Sequence, residues 1–174
     1  SGTLLCEAYL HATHTPAGIL RRMFGFQKLP DFDSSLWKEV VREGKANIIP
    51  VAPGIIAGSD IDFEAVEAAR HNCHVIDPGH RIRIEQRDAF TIEDLRGKTI
   101  VCNPPYGIRM GKAADLPEFY RKLGDFFKQR CAGSTAYVYF GEREYIKKVG
   151  LKPAWKKELS NGGLDGRLVR YDLY

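Results

Sequence analysis

Three polar residues stand directly after predicted strand segments in the middle of the chain, and their types suggest one kind of chemistry. Asp60 follows "IIAGS", Asp88 follows "RIRIEQR" and Asn103 follows "KTIVC". Carboxylate and amide oxygens accept hydrogen bonds. If the three runs are neighbouring parallel strands, their carboxyl ends meet at one edge of a sheet, which is where such sheets bind ligands. The spacing therefore predicts a binding site built from hydrogen-bond acceptors.

The segment after the third run has the composition of a pocket for a planar amino group. Its four residues are Asn103, Pro104, Pro105 and Tyr106. The prolines fix the backbone and donate no hydrogen bonds, so the Asn103 side chain and the Pro104 carbonyl can accept both N–H groups of an amine. Tyr106 offers a face for stacking, worth about 1–3 kcal/mol for a nucleobase. Catalysis would then rest on positioning and electrostatic preorganisation. The alternative interpretation is a strand terminator with an aromatic lid.

The residues ahead of this segment are suited to an adenosine-containing cofactor. Asp60 can accept hydrogen bonds from ribose hydroxyls, as an acid after the second strand of a nucleotide-binding sheet does. Asp88 can accept from an adenine amino group while the Ala89 amide donates to a ring nitrogen. Gly2 and Thr3, ahead of the first helix, let the backbone approach the ligand. Taken singly, each acid could equally be a helix cap.

The order of elements predicts an α/β fold. From residue 55 onward, strands alternate with helices, which indicates a mostly parallel sheet with helices on both faces. Asn161-Gly162-Gly163 predicts a C-terminal antiparallel hairpin. Asp115 and Glu118 resemble a capping box. "KTIVCNPP" and "STAYVYFG" are predicted to be buried strands.

Three helices are predicted in the first half of the chain. The first begins almost at Ser1, the second runs from about Ser34 to Ala46, and the third starts after Asp62 as N-cap, with Phe63, Val66 and Ala69 facing inward.

Composition limits the class of protein. The chain has 174 residues, 44% hydrophobic and 28% charged, which is typical of one globular domain. No apolar run reaches the about 18 residues of a membrane span. We expect a cytoplasmic protein without membrane association. Four widely separated cysteines predict reduced thiols.

The net charge of +4 is concentrated in the C-terminal third, which suits an anionic partner such as nucleic acid or a solvated charged face. Its basic residues are Arg143, Lys147, Lys148, Lys152, Lys156, Lys157, Arg167 and Arg170. The pairs His11/His14 and His71/His74, the latter near Cys73, have a spacing that a helix permits for metal ligands, but no Cys-x-x-Cys or matching second pair accompanies them, and no metal is predicted.

The sequence resembles a known family in several of these motifs. "NPPYG" after a strand is similar to motif IV of S-adenosylmethionine-dependent amino-methyltransferases. "SGTLLCEA", "FGFQKLPDFDSSLW", "GSDIDFEAVEAARHN" and "NGGLDGRL" resemble the catalytic domain of THUMP-associated RNA guanine-N2 methyltransferases, in particular bacterial enzymes that modify large-subunit ribosomal RNA. The resemblance covers essentially the whole chain, 1–174. It implies a Rossmann-like class I methyltransferase fold, S-adenosylmethionine as cofactor and an RNA substrate.

The resemblance also assigns roles. The glycine loop of the family maps onto Ser1 to Thr3, the ribose-binding acid onto Asp60, the adenine-binding acid onto Asp88, and the catalytic tetrapeptide onto the four residues from Asn103. Asn103 is also expected among the cofactor-binding residues. Residues 15–54 correspond to a family-type insertion. There Phe24, Phe26 and Trp37 are expected to form a small satellite core rather than an RNA contact.

The sequence departs from the family in three respects. We expect a first strand and a THUMP domain ahead of Ser1 in the native protein. Ile108 stands where relatives often have Glu, and Gly166 where many have Cys. Four other functions stay open: methylation of a guanine in tRNA, of a DNA adenine or of a protein glutamine, and non-catalytic RNA binding. The target guanine and the oligomeric state are not indicated.

Overall fold

The computed structural model describes residues 1–77, 79–104, 116–161 and 164–174. The chain divides into two compact units, Ser1–Ala89 and Phe90–Tyr174. None of the helices in these ranges is long and apolar enough to cross a membrane. Several residues singled out above lie outside the described residues: Pro105, Tyr106, Ile108, Asp115, Gly162 and Gly163.

The first unit contains three helices and two parallel strands. Its elements are α1 (Thr3–Ala12), a 3₁₀ turn (Gly25–Lys28), α2 (Ser34–Ala46), β1 (Ala57–Asp60), α3 (Phe63–Ile76) and β2 (Arg83–Gln86). β1 pairs with β2 in parallel, from Ala57 opposite Arg83 to Asp60 opposite Gln86. All three predicted helices are confirmed.

The core of the first unit lies between α1, α3 and β2. Tyr9, Cys73 and Ile82 are buried there. Val66 is fully buried on α3, but Phe63 is 59% exposed. The inward prediction for Phe63 was wrong because it occupies the first position of α3, where the buried stripe of this helix has not yet begun.

Aromatic rings hold residues 15–54 together. Phe24 and Phe26 each contact Trp37 edge-on, with ring centroids 5.4 and 4.9 Å apart. Arg21 lies over the Phe24 ring at 5.4 Å. The three rings therefore contact one another as predicted, but they do not form a buried core: Phe24 and Trp37 are half-buried, Phe26 is 41% exposed, and α2 has no buried residue.

The second unit is a four-stranded mixed sheet with helices. After a 3₁₀ turn (Ala89–Thr91) that spans the unit boundary, its elements are β3 (Thr99–Cys102), α4 (Leu116–Arg130), β4 (Thr135–Phe140), a 3₁₀ helix (Arg143–Val149), β5 (Trp155–Asn161) and β6 (Leu164–Asp172). The strand order is β3-β4-β6-β5. β3 and β4 are parallel, whereas β6 is antiparallel to both β4 and β5. The predicted C-terminal hairpin is confirmed, and the strands fall into two sheets rather than one.

The core of the second unit lies on one face of this sheet. Phe127 of α4 and Val138 of β4 are buried there, and Ile100 of β3 packs against them. Val101 points to the other face and is 52% exposed. The prediction that β3 is buried was therefore wrong for this position, since alternate side chains of a strand face opposite sides.

Candidate functional site

Asp60 and Asp88 lie at the same end of the parallel strand pair in the first unit. Asp60 is the last residue of β1 and stands opposite Gln86, the last residue of β2. The Arg87 amide donates to the Asp60 carbonyl oxygen at 2.8 Å, so the pairing continues to the residue just before Asp88. Because the strands are parallel and in register, the structure brings the two predicted acids to one edge, as the sequence indicated.

The carboxylate of Asp60 is exposed at this edge. Its Oδ1 accepts a hydrogen bond from the Asp62 amide at 3.0 Å. Asp62 caps α3 by accepting from the Glu64 amide at 3.0 Å. The two neighbouring acids thus have different local roles: Asp62 is a helix cap, whereas Asp60 presents its carboxylate to solvent, where it can accept hydrogen bonds from a ligand hydroxyl.

The turn before α1 is held against α3. Gly2 has φ 72°, in the left-handed region, and a Cβ at this position would lie 3.1 Å from the Cα of Ala69. The Asn72 side chain donates to the Ser1 carbonyl at 2.9 Å. No side chain caps the first turn of α1. The close approach leaves room only for backbone, and the first amides of α1 stay available to a ligand.

Leu5 of α1 connects this turn to β1. A Cβ at Gly58 would lie 2.8 Å from Leu5 Cδ1, so α1 packs closely over β1 two residues before Asp60. The turn, the exposed carboxylate and the edge at Asp88 therefore belong to one packed unit. Ala89, another predicted cofactor contact, follows Asp88 and is exposed.

Asn103 and Pro104 lie at the carboxyl end of β3 in the second unit. Cys102, the last residue of β3, is paired in register with Val138 of β4. Asn103 follows it and is exposed, whereas Pro104 is buried. An exposed amide anchored between a strand and a buried proline can present its oxygen to a ligand. The rest of the predicted tetrapeptide lies outside the described residues.

Three titratable groups near the end of β3 have pKa values above their ordinary ones. Cys102 packs against the core, and burial raises the pKa of its thiol to about 12. Burial also raises the pKa values of Tyr120 and Tyr171, and the nearby Cys102 adds to both shifts. None of the three can serve as a general base at neutral pH, which agrees with chemistry based on hydrogen-bond acceptors.

A buried arginine at the C-terminal hairpin was missed by sequence reasoning. Arg167 is only 7% exposed. Its guanidinium donates to Asp165 Oδ1 at 2.6 Å and to Glu158 Oε1 at 2.7 Å. The only signal in the sequence is an arginine placed among the alternating apolar residues of β6. Arg167 ties β5 to β6, since Glu158 is its partner in the antiparallel register.

This network changes the predicted basic surface. Arg143 and Arg167 both pair with Asp165, and Arg170 pairs with Asp172. The three arginines are therefore at least partly neutralised within the unit. The exposed lysines of this region remain as the surface suited to an anionic partner: Lys147, Lys148, Lys152, Lys156 and Lys157.

The histidine and cysteine groupings do not form a metal centre in the part of the chain that is described. His74 stacks on His80, with ring centroids 4.6 Å apart and an interplanar angle of 19°. Parallel rings this close cannot both direct an in-plane nitrogen at one ion.

Comparison with known proteins places this geometry in context. The model of the RMKL-like methyltransferase domain matches residues 1–170. The chain is 36% identical over 175 residues to "Putative RNA methyltransferase slr0064" of Synechocystis sp., covering 100% of this chain and 46% of the relative. It is 32% identical over 177 residues to the ribosomal RNA large subunit methyltransferase K/L of Photobacterium profundum, covering 98% of this chain. The chain spans only 25% of that relative's length.

Solved structures confirm the predicted fold. A possible methylase from Clostridium difficile 630 has a TM-score of 0.88 and 27% identity, with 99% of this chain and 46% of the other covered. SMU.472, a putative methyltransferase solved with SAH, has a TM-score of 0.86 and 24% identity, with the same coverage. The chain has the Rossmann-like class I methyltransferase fold.

Proposed function

The chain belongs to the RMKL-like methyltransferase domain family, and from that premise we propose that it transfers a methyl group from S-adenosylmethionine to the exocyclic amino group of a guanine in RNA. Large-subunit ribosomal RNA is the proposed substrate, because that is the RNA in the names of relatives 32% identical to this chain. The observation that carries the chemistry is the exposed Asn103, held between β3 and the buried Pro104.

The first unit has the features needed to hold the cofactor. Gly2 packs so closely on α3 that only backbone fits at the turn, and the first amides of α1, which no side chain caps, are available to donate to a ligand. At the end of β1, Asp60 would accept hydrogen bonds from the ribose hydroxyls. Asp88 would accept from the adenine amino group, and the Ala89 amide would donate to the ring. Along the chain, the residues with these roles come in the same order as the corresponding residues of the family.

The residues after β3 would orient the acceptor amine. When bound, S-adenosylmethionine supplies a methyl group on a positively charged sulfur. Asn103 Oδ1 and the Pro104 carbonyl would accept the two N–H groups of the guanine amine, which directs its lone pair at that methyl carbon. The proton released from the methylated amine goes to water. Pro105 and Tyr106 complete the motif by resemblance alone.

RNA as the substrate class also suits the surface of the second unit. Five exposed lysines lie between residues 147 and 157, while the arginines of the hairpin are paired with carboxylates. Lysine side chains that contact phosphates position an RNA without reading its sequence. Recognition of one particular guanine would then depend on other parts of the native protein.

The test uses the full-length protein with tritium-labelled S-adenosylmethionine. Unmodified large-subunit ribosomal RNA, tRNA, DNA and a release factor are offered separately. We expect label only in the ribosomal RNA. Label confined to tRNA would reject the ribosomal assignment, and label confined to DNA or to the release factor would reject guanine in RNA altogether. A full-length protein that does not bind the cofactor would reject the enzyme and favour a non-catalytic RNA-binding function.

A further inference from the structure

Two thiols lie side by side beneath the turn before α1. Cys6 of α1 and Cys73 of α3 are 67 positions apart in the sequence, yet their Sγ atoms are 3.5 Å apart. Both cysteines are free. The Cys73 thiol also lies 4.0 Å from the carbonyl oxygen of Gly2. The thiol pair therefore joins α1, α3 and the turn at a single point.

We propose that Cys6 and Cys73 form a reversible oxidation site, at which a low-molecular-weight disulfide such as oxidised glutathione generates a disulfide between α1 and α3. The S–S bond of a disulfide is about 2.05 Å long. From 3.5 Å, the two sulfurs must approach by roughly 1.5 Å. A movement of this size needs only a small shift of α1 against α3.

The difference in burial between the two thiols sets the order of the reaction. Cys6 is half-buried, whereas Cys73 is 3% exposed. Burial, together with the hydrogen bond to Cys6, raises the pKa of the Cys73 thiol to about 12. The small disulfide therefore reacts first with Cys6, and Cys73 completes the exchange from inside the core.

The exchange balances in two steps. Cys6 gives its proton to water, and its thiolate attacks one sulfur of the small disulfide, breaks its S–S bond and releases one small thiolate, which takes up a proton from water. The Cys73 sulfur then attacks Sγ of Cys6, gives its proton to the departing thiolate and releases the second small thiol. The two protein thiols lose two electrons and two protons in total, and the small disulfide takes up both.

The other two cysteines are not paired in this way. Both Cys102 and Cys131 lie in the second unit, and Cys131 is fully buried. Burial raises the pKa values of these thiols to about 11 and about 12. Neither has a thiol in hydrogen-bond contact among the described residues. Cys102 and Cys131 therefore serve as internal controls, because the same oxidant should leave both as thiols.

Oxidation is expected to weaken cofactor binding, a consequence that rests on the proposed function. Drawing the sulfurs together moves α1 toward α3, where the backbone of Gly2 packs on Ala69 with no room for a side chain: a Cβ on Gly2 would lie 3.1–3.2 Å from Ala69 atoms. The turn must therefore shift. We expect S-adenosylmethionine affinity to fall about fivefold or more, at the lower end of typical coupling between sites.

The test treats the folded full-length protein with oxidised glutathione and then maps its cysteines by differential alkylation and peptide mass. We expect the peptide with Cys6 to be linked to the peptide with Cys73, and dithiothreitol to reverse the link. Cys102 and Cys131 should remain thiols. A Cys73→Ser variant should retain glutathione on Cys6, whereas Cys6→Ser should show no modification of Cys73.

Two results would overturn the proposal: thiols that all remain free in the wild-type protein, or glutathione that stays on Cys6 beside an unreacted Cys73. Because the map is made on the wild-type protein, it does not depend on the folding of a variant. Cofactor affinity is then measured before and after oxidation. A disulfide between Cys6 and Cys73 that leaves S-adenosylmethionine affinity unchanged would reject the prediction that oxidation weakens cofactor binding. Failure of the reduced protein to bind the cofactor would instead reject the proposed function, and the peptide map would still decide the cross-link.

Discussion

Gly2 lies directly against Ala69, so the turn that leads into α1 is shaped by the surface of α3. Gly2 has φ 72°, and a Cβ on it would be 3.1 Å from both the Cα and the Cβ of Ala69. Backbone conformation and close packing thus both require glycine at this position. The proposed cofactor turn is consequently defined by a contact between residues 67 positions apart.

Replacing Gly2 by alanine tests this contact. Left-handed backbone costs an L-residue roughly 1–2 kcal/mol, and the new methyl group would also press on Ala69. We expect Gly2→Ala to lower the thermal midpoint and to weaken S-adenosylmethionine binding by about tenfold, the equivalent of about 1.4 kcal/mol. The control is Gly25→Ala, where an added Cβ meets nothing within 4 Å. If Gly2→Ala and Gly25→Ala had the same thermal midpoint and the same S-adenosylmethionine affinity, the turn at Gly2 would not be constrained by Ala69.

Asp60 and Asp62 can be separated by paired variants. Asp60→Asn keeps the shape but removes the charge that strengthens hydrogen bonds to ribose hydroxyls, so cofactor affinity should fall about tenfold or more. Asp62→Ala removes the cap of α3 and should cost about 1 kcal/mol of stability, while affinity is retained. Isothermal titration and thermal unfolding measure the two effects. The reverse pattern would mean that Asp60 has only a structural role.

Asn103 should affect transfer rather than cofactor binding. Without its side-chain oxygen the guanine amine is no longer oriented, and loss of one such preorganised contact typically lowers turnover about 10²–10³-fold. Asn103→Ala should therefore lose methyl transfer and keep its cofactor dissociation constant. Cys102→Ala, one residue earlier, should keep both. A large loss of S-adenosylmethionine affinity in Asn103→Ala would show that this side chain contacts the cofactor rather than the guanine amine.

Gly124 provides a test of packing in the second unit. A Cβ at this position of α4 would overlap the carbonyl oxygen of Val149. Alanine normally favours a helix by about 1 kcal/mol over glycine, but overpacking costs about 1–3 kcal/mol. We expect Gly124→Ala to lower the unfolding midpoint, whereas Lys122→Ala, at an exposed position of the same helix, should not. A more stable Gly124→Ala would contradict the close approach.

Local signals predicted the helices and the strand ends well. α2 has the predicted bounds, Ser34–Ala46, because its start and its apolar spacing are properties of neighbouring residues. Asp60 and Asp88 reach the same sheet edge because parallel strands of equal length end together. Such features depend on the spacing of apolar residues along the chain and on hydrogen bonds between residues a few positions apart.

Features set by contacts between distant elements were not predictable. Alternation in β3 shows which residues share a face, but Val101 and Ile100 differ in burial because only one face packs against α4. The role of Arg167 depends on Glu158 of the adjacent strand. The contact between Cys6 and Cys73 requires the packing of α1 on α3, which has no signature in either helix alone.

The identity of the methylated nucleoside tests the central claim most directly. The full-length protein is incubated with labelled S-adenosylmethionine and unmodified large-subunit ribosomal RNA, and the RNA is digested and separated by chromatography with mass detection. We predict that the label elutes as N2-methylguanosine and that Asn103→Ala forms this product about a hundredfold or more slowly. Label recovered as N6-methyladenosine, or equal yields from wild-type protein and Asn103→Ala, would contradict the account.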